Sequence, residues 1–220
     1  VIVFGVLLGA VVTAVLQSSS ATTVMVIGFI NAGLLNLTQS LGIVFGANIG
    51  TTITAQIIAF DISSIIMPSI IVGMVMTFFS KKVLRGWGDT ILGFGLLFFG
   101  MGLMSAELKG VAQFPSFMEV FRVFDCAPNS SGIMPLGSVI GTIGIGIVVT
   151  VIIQSSSAAT GIVLALGASG LINFYTAVIL VLGSNIGTTV TAQLAAIPAN
   201  RIAKQAALSH TMFNCIGVLI

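Results

Sequence analysis

A block of forty residues occurs twice in this chain. Residues 17–56 read QSSSATTVMVIGFINAGLLNLTQSLGIVFGANIGTTITAQ, and residues 154–193 read QSSSAATGIVLALGASGLINFYTAVILVLGSNIGTTVTAQ. The offset is 137 residues from Gln17 to Gln154 and again from Gln56 to Gln193, with no gap between. The two copies agree at twenty of forty positions, concentrated in QSSSA and in NIGTT-x-TAQ. A repeat of this kind means that one structural unit was built twice. What the copies share is mostly small or polar, while the apolar filler has drifted, as Met25 against Ile162 and Ile27 against Leu164 show.

The polar islands sit in an apolar sea. Hydrophobic residues make up 57% of the 220 and charged residues 5%, with a mean hydropathy of +1.22. A soluble domain carries roughly 25% charged residues, so this chain cannot clothe itself for water and is expected to be an integral membrane protein. Seven basic residues against five acidic ones form no basic stripe, which excludes a nucleic-acid surface. Cys126 and Cys215 are too few for a disulfide framework or a cysteine metal site.

Segment lengths refine this. Residues 1–16 and 21–35 are apolar arms of about fifteen residues on either side of QSSS, short of the roughly 20 that span a bilayer. They fit a re-entrant hairpin with QSSS at its tip, or two short helices joined by it. Residues 37–60 are long enough to cross but carry Gly46, Asn48, Gly50, Thr51 and Thr52 midway, which predicts a break in the helix. Residues 63–80 and 89–105 read as plain spans and residues 107–135 as a long polar loop. Residues 136–153 lead into the second QSSS, and residues 206–220 begin a last helix. The chain opens and stops inside apolar runs. The expected organisation is therefore a first repeat over 1–80, N-terminally incomplete, a connecting span and outer loop over 81–135, and a second repeat over 136–220, C-terminally incomplete.

Lys81, Lys82 and Arg85 are the densest basic cluster, which assigns their loop to the cytoplasm. Counting crossings outward from it brings the first QSSS in from the inside and the second from the outside, with Arg201 and Lys204 returning to the inside. The fold expected is an all-α membrane protein made of inverted repeats, with re-entrant hairpins and broken transmembrane helices. Its expected place is the plasma membrane, as a multi-pass protein in contact with the lipid bilayer.

Interrupted hydrophobic segments at matching places in inverted repeats point to a secondary transporter with a midplane site. The candidate ligands are Gln17, Ser18, Ser19, Ser20, Asn48, Thr51 and Thr52 in the first copy. Gln154, Ser155, Ser156, Ser157, Asn185, Thr188 and Thr189 are their counterparts in the second. All are neutral. Hydroxyl, amide and freed carbonyl oxygens suit a hard cation such as sodium, and an exposed helix N-terminus suits an anion. Small residues at close helix contacts are the plainer reading for any one Ser or Thr. Burying an unpartnered hydroxyl or amide costs roughly 2–7 kcal/mol, and packing alone could be met by Ala and Gly, so two full sets at a constant offset favour a binding site.

QSSSATT with GANIGTT, followed by QSSSAAT with GSNIGTT, resembles the type II sodium/phosphate cotransporter family over most of the chain. The resemblance implies a sodium-coupled symporter of inorganic phosphate working by alternating access, not an enzyme, with sodium as the coupling ion and no other cofactor. It places the two QSSS stretches at the substrate and sodium sites. It also leaves room for a homodimer and for a PhoU-like domain or partner.

Competing readings are a sodium-coupled carboxylate transporter of similar hairpin design, a channel, and an intramembrane serine protease using His210. The protease reading is weakened because no G-x-S-x-G is present and the serines come in pairs; His210 reads as a packing or helix-end residue. Asp61 reads as a loop charge, and Arg201 and Lys204 as anchors at the inner mouth.

Overall fold

The computed structural model describes residues 2–60, 63–79 and 81–220, with Thr54, Ile58, Val111 and Phe117 described through their backbone alone; Asp61 lies outside the described residues. In chain order the helices are α1 (Ile2–Leu16), α2 (Ser19–Asn31), α3 (Leu37–Ala59), α4 (Ser63–Phe79) and α5 (Val83–Val111), followed by α6 (Pro115–Arg122), α7 (Leu136–Ile153), α8 (Ser156–Ala168), α9 (Phe174–Ala196) and α10 (Arg201–Leu219). No strand is found among the described residues.

The repeat is built the same way twice. Gly33 and Gly170, at the same offset, turn the chain out of α2 and α8 with φ of 75° and 78°, a left-handed backbone that glycine adopts without a steric cost. Asn36 and Asn173 then cap α3 and α9, accepting from Gln39 N and Thr176 N at 2.9 Å each. At α3 the Gln39 side chain returns the bond to Asn36 N at 3.1 Å, completing a capping box.

α1 packs along α3, and α7 along α9. Glycines make the approach close: a Cβ at Gly46 would fall onto the Val6 carbonyl, and one at Gly183 onto the Ile143 carbonyl, the same pair shifted by the repeat offset. Gly9 with Ile43 and Gly146 with Leu180 repeat the correspondence. Each short helix meets both long ones, α2 lying on α3 and α9 while α8 lies on α9 and α3. α4 and α5 form an antiparallel pair, Gly73 lying against Leu92 and Gly95 against Ile70. The turn between them places Lys82 at φ 48°.

The interior is small and partly polar, and the exterior apolar. Thr13, Thr22, Thr23, Ser40, Thr142, Thr150, Ser184 and Thr189 are buried, while Phe4, Val15, Phe78, Trp87, Ile140 and Ile152 are exposed. Val83–Gly110, Leu136–Ile153 and Phe174–Ala196 are long and apolar enough to cross a membrane. α1 and α2, of 15 and 13 residues, reach only about 22 and 20 Å at 1.5 Å per residue, shorter than the ~30 Å hydrocarbon core.

Three expectations are corrected. The helices are not broken at GANIGTT or GSNIGTT, because α3 and α9 run through them. Their glycines serve the contact with α1 and α7, and their threonines bond back onto the helix. Thr51 Oγ1 donates to Ala47 O at 3.1 Å and Thr188 Oγ1 to Ser184 O at 2.9 Å, so no carbonyl is released there. The polar loop over 107–135 is not all loop, since α5 extends to Val111 and α6 follows. The rest of that segment is pinned down by Cys126, whose N donates to Thr176 Oγ1 at 3.1 Å, and by Thr142 Oγ1 donating to Phe124 O at 3.2 Å. The last helix begins at Arg201 rather than at 206, where Asn200 Oδ1 accepts from Ala203 N at 2.9 Å.

Candidate functional site

Both QSSS stretches fold into the same break. Gln17 and Gln154 follow the last residue of α1 and α7 in a left-handed conformation, with φ of 55° and 59°. Each closes its helix by a 2.7 Å bond from its own N to the Thr13 or Thr150 carbonyl. Each side-chain amide curls onto the same open helix end: Gln17 Nε2 donates to Ala14 O, and Gln154 Nε2 to Val151 O at 2.5 Å. The next residue caps the following helix, Ser18 Oγ accepting from Ala21 N and Ser155 Oγ from Ala158 N, each at 3.2 Å. Ser19 and Ser156 are buried in the first turn, with Ser20 and Ser157 half-buried beside them.

The chemistry follows from the order of these events. A helix C-terminus, whose last carbonyl oxygens have no partner within the helix ladder, is placed directly before a helix N-terminus, whose first N–H groups have none. The first attracts a cation and the second an anion. No charged side chain takes part.

The NIGTT residues are only partly gathered with one another. Asn48 and Thr52 from α3 and Asn185 from α9 line one cavity of about 370 Å³, together with Asn214 of α10. Thr51 is half-buried, and Thr188 and Thr189 lie inside the bundle. Thr189 Oγ1 accepts from Thr211 of α10 at 3.1 Å, and Thr211 Oγ1 also accepts from Gln193 Nε2 at 2.7 Å.

Thr13, Thr22, Thr150, Ser184 and Asn214 were not singled out from the sequence. Thr13 Oγ1 donates to Thr22 Oγ1 at 2.9 Å, and Thr150 Oγ1 donates to Ser184 Oγ at 2.8 Å, all four buried. The signal was present, because GAVVT at Gly9–Thr13 and GIVVT at Gly146–Thr150 extend the repeat upstream at the same offset. His210 and Asn214 are buried against α3, where Asn48 Nδ2 donates to Asn214 Oδ1 at 3.0 Å. Arg201 and Lys204 are exposed on the first turn of α10. Among the described residues, no three of His, Cys, Asp and Glu cluster as a metal site.

The model of the family described as Na+/Pi-cotransporter matches residues 2–106 and 136–218, taking in both copies of QSSS and both of NIGTT. The chain belongs to the Na+/Pi-cotransporter family. The expected resemblance is thereby shown, and the chain is a transporter-family membrane protein. The family match leaves out 107–135, the segment holding α6. The chain is 35% identical over 215 residues to "Uncharacterized protein YqeW" of Bacillus subtilis, covering 97% of the chain and 66% of that protein. It is 32% identical over 213 residues to "Putative inorganic phosphate export protein YjbB" of Escherichia coli K12, covering 96% and 37%. It is 37% identical over 139 residues to human "Sodium-dependent phosphate transport protein 2C", covering 60% and 22%. The chain thus spans two thirds of YqeW at most and well under half of YjbB. No solved structure matches it.

Proposed function

We propose that this chain is the membrane core of a sodium-coupled phosphate symporter working by alternating access. The observation that carries the reading is the doubled break at Gln17 and Gln154, where a capped helix N-terminus with a buried serine directly follows a helix C-terminus. Phosphate would be held at the N-termini of α2 and α8 by backbone N–H groups and by Ser19, Ser20, Ser156 and Ser157. Sodium would take neutral oxygens, the last-turn carbonyls before Gln17 and Gln154 and the polar groups of Asn48, Thr51, Thr52, Asn185, Thr188 and Thr189. Sodium would supply the positive charge that the side chains do not, so each ligand favours the other.

Reciprocal packing supports the inverted-repeat reading, since each short helix lies on the long helix of its own copy and on that of the other. Two such halves give a site that can open first to one face and then to the other. Sodium entry drives the cycle, with about 2.3 kcal/mol for each net charge moved through 100 mV. The names of the relatives, one for phosphate export and one for sodium-dependent phosphate transport, support phosphate as cargo. Competition decides between phosphate and a carboxylate: unlabelled phosphate is expected to suppress uptake of labelled phosphate where succinate and sulfate do not. Suppression by succinate at equal concentration overturns the phosphate reading.

A further inference from the structure

His210 has no part in the site as described above, yet it is 2% exposed and hydrogen-bonded to the first repeat. Its Nε2 lies 3.4 Å from Asn48 Oδ1. Asn48 Nδ2 donates to Asn214 Oδ1 at 3.0 Å, and Asn214 Nδ2 donates to the carbonyl of His210 itself at 3.0 Å. Three hydrogen bonds thus close a ring that leaves α10, reaches α3 and returns.

The polarity of the ring is set at one end. A backbone carbonyl can only accept, so Asn214 must aim Nδ2 at it and Oδ1 at Asn48. Asn48 must then give Nδ2 to Asn214 and turn Oδ1 toward the imidazole. The imidazole must in turn carry its proton on Nε2, leaving Nδ1 as a lone pair. Nδ1 is the buried side-chain atom without a hydrogen-bond partner among those described. Turning over the Asn48 amide would set oxygen against oxygen at Asn214 and would require His210 to carry its proton on Nδ1, a buried atom without a hydrogen-bond partner among those described. Its orientation is therefore held from both sides.

The device is one-sided. The positions 137 residues before His210 and Asn214 are Gly73 and Thr77, so α4 carries no counterpart. Asn185, the repeat mate of Asn48, is exposed in the shared cavity, whereas Asn48 is half-buried and tied.

We propose that His210 is a positioning residue that fixes the Asn48 amide and couples α10 to the first repeat's half of the binding site. The proposal rests on the reading that Asn48 belongs to that site. A histidine kept only to fill space would be replaceable by Phe, which preserves a ring but donates nothing. Gln loses the ring but offers an amide N–H to Asn48.

The test is sodium-dependent uptake of radiolabelled phosphate by reconstituted His210→Phe and His210→Gln. With Phe, the half-saturating sodium concentration is expected to rise about tenfold, the consequence of the half-buried Asn48 losing the donor to its Oδ1, with the maximal rate little changed. Gln is expected to recover most of that loss. Phe behaving like the parent, or Gln behaving like Phe, overturns the proposal. If the parent itself carries no phosphate in response to sodium, the symport reading fails, and thermal unfolding in detergent still reads the coupling. His210→Phe and Asn48→Ala should then lower the Tm by no more together than the larger single loss, and additive losses overturn it.

Discussion

Gln17 and Gln154, 137 residues apart, hold the same left-handed backbone, at φ 55° and 59°. Each is followed by the serine that caps the next helix, Ser18 or Ser155. For a side chain other than glycine that conformation costs about 1–2 kcal/mol. Replacing Gln154 by Gly is expected to keep the break and the melting temperature while reducing sodium-dependent phosphate uptake, because only the amide is lost. Gln154→Val is expected to lower the Tm by several degrees, since a β-branched side chain is poorly tolerated at positive φ. A Tm equally depressed by Gly would show that the amide's bond to the Val151 carbonyl, rather than the turn, holds the break.

The serines separate by role. Ser155→Ala removes the acceptor for Ala158 N and is expected to destabilise α8 by about 1 kcal/mol. That loss should be visible as faster amide hydrogen exchange in the first turn. Ser19→Ala and Ser156→Ala touch the buried serines and are expected to cut uptake at fixed sodium with little change in Tm. Unchanged transport in both would move the site away from the helix tips.

Gly144 and Gly146, two residues apart on α7, point to opposite faces of the helix, and their surroundings differ. A Cβ at Gly146 would lie 3.0 Å from the Gly183 Cα, and one at Gly144 meets nothing within 4 Å. Gly146→Ala is expected to destabilise by about 1–3 kcal/mol through overpacking. Gly144→Ala is expected to be neutral or to stabilise by up to about 1 kcal/mol through helix propensity. Thermal unfolding of the two variants side by side checks both, and equal effects would contradict the close α7–α9 contact.

Thr150 and Ser184 share a buried hydrogen bond of 2.8 Å. Thr150→Val keeps the shape but leaves Ser184 without that donor, a loss of about 1 kcal/mol or more. Thr150→Ser is expected to cost less, and a Val variant as stable as the parent would show that the pair adds nothing.

Much of this could be read from the residues. QSSS interrupts an apolar run with four polar side chains, so a turn there follows from local chemistry, and the constant offset predicts that it happens twice. GANIGTT looked like a second break for the same reason, yet α3 runs through it. A glycine that frees the backbone and one that admits a neighbouring helix look alike in a sequence. Gly46 is the second kind, because the Val6 carbonyl occupies the place of its Cβ. The link from His210 to Asn48 spans 162 residues, and no periodicity reports a partner that far away. α6 was hidden by its eight residues, too short to show a pattern inside a polar segment.

The central claim is tested most directly by radiolabelled phosphate uptake into proteoliposomes with and without an inward sodium gradient. The account predicts phosphate accumulation that requires sodium, is not supported by potassium, and collapses when the gradient is dissipated. Phosphate uptake of the same rate and extent without sodium would contradict it.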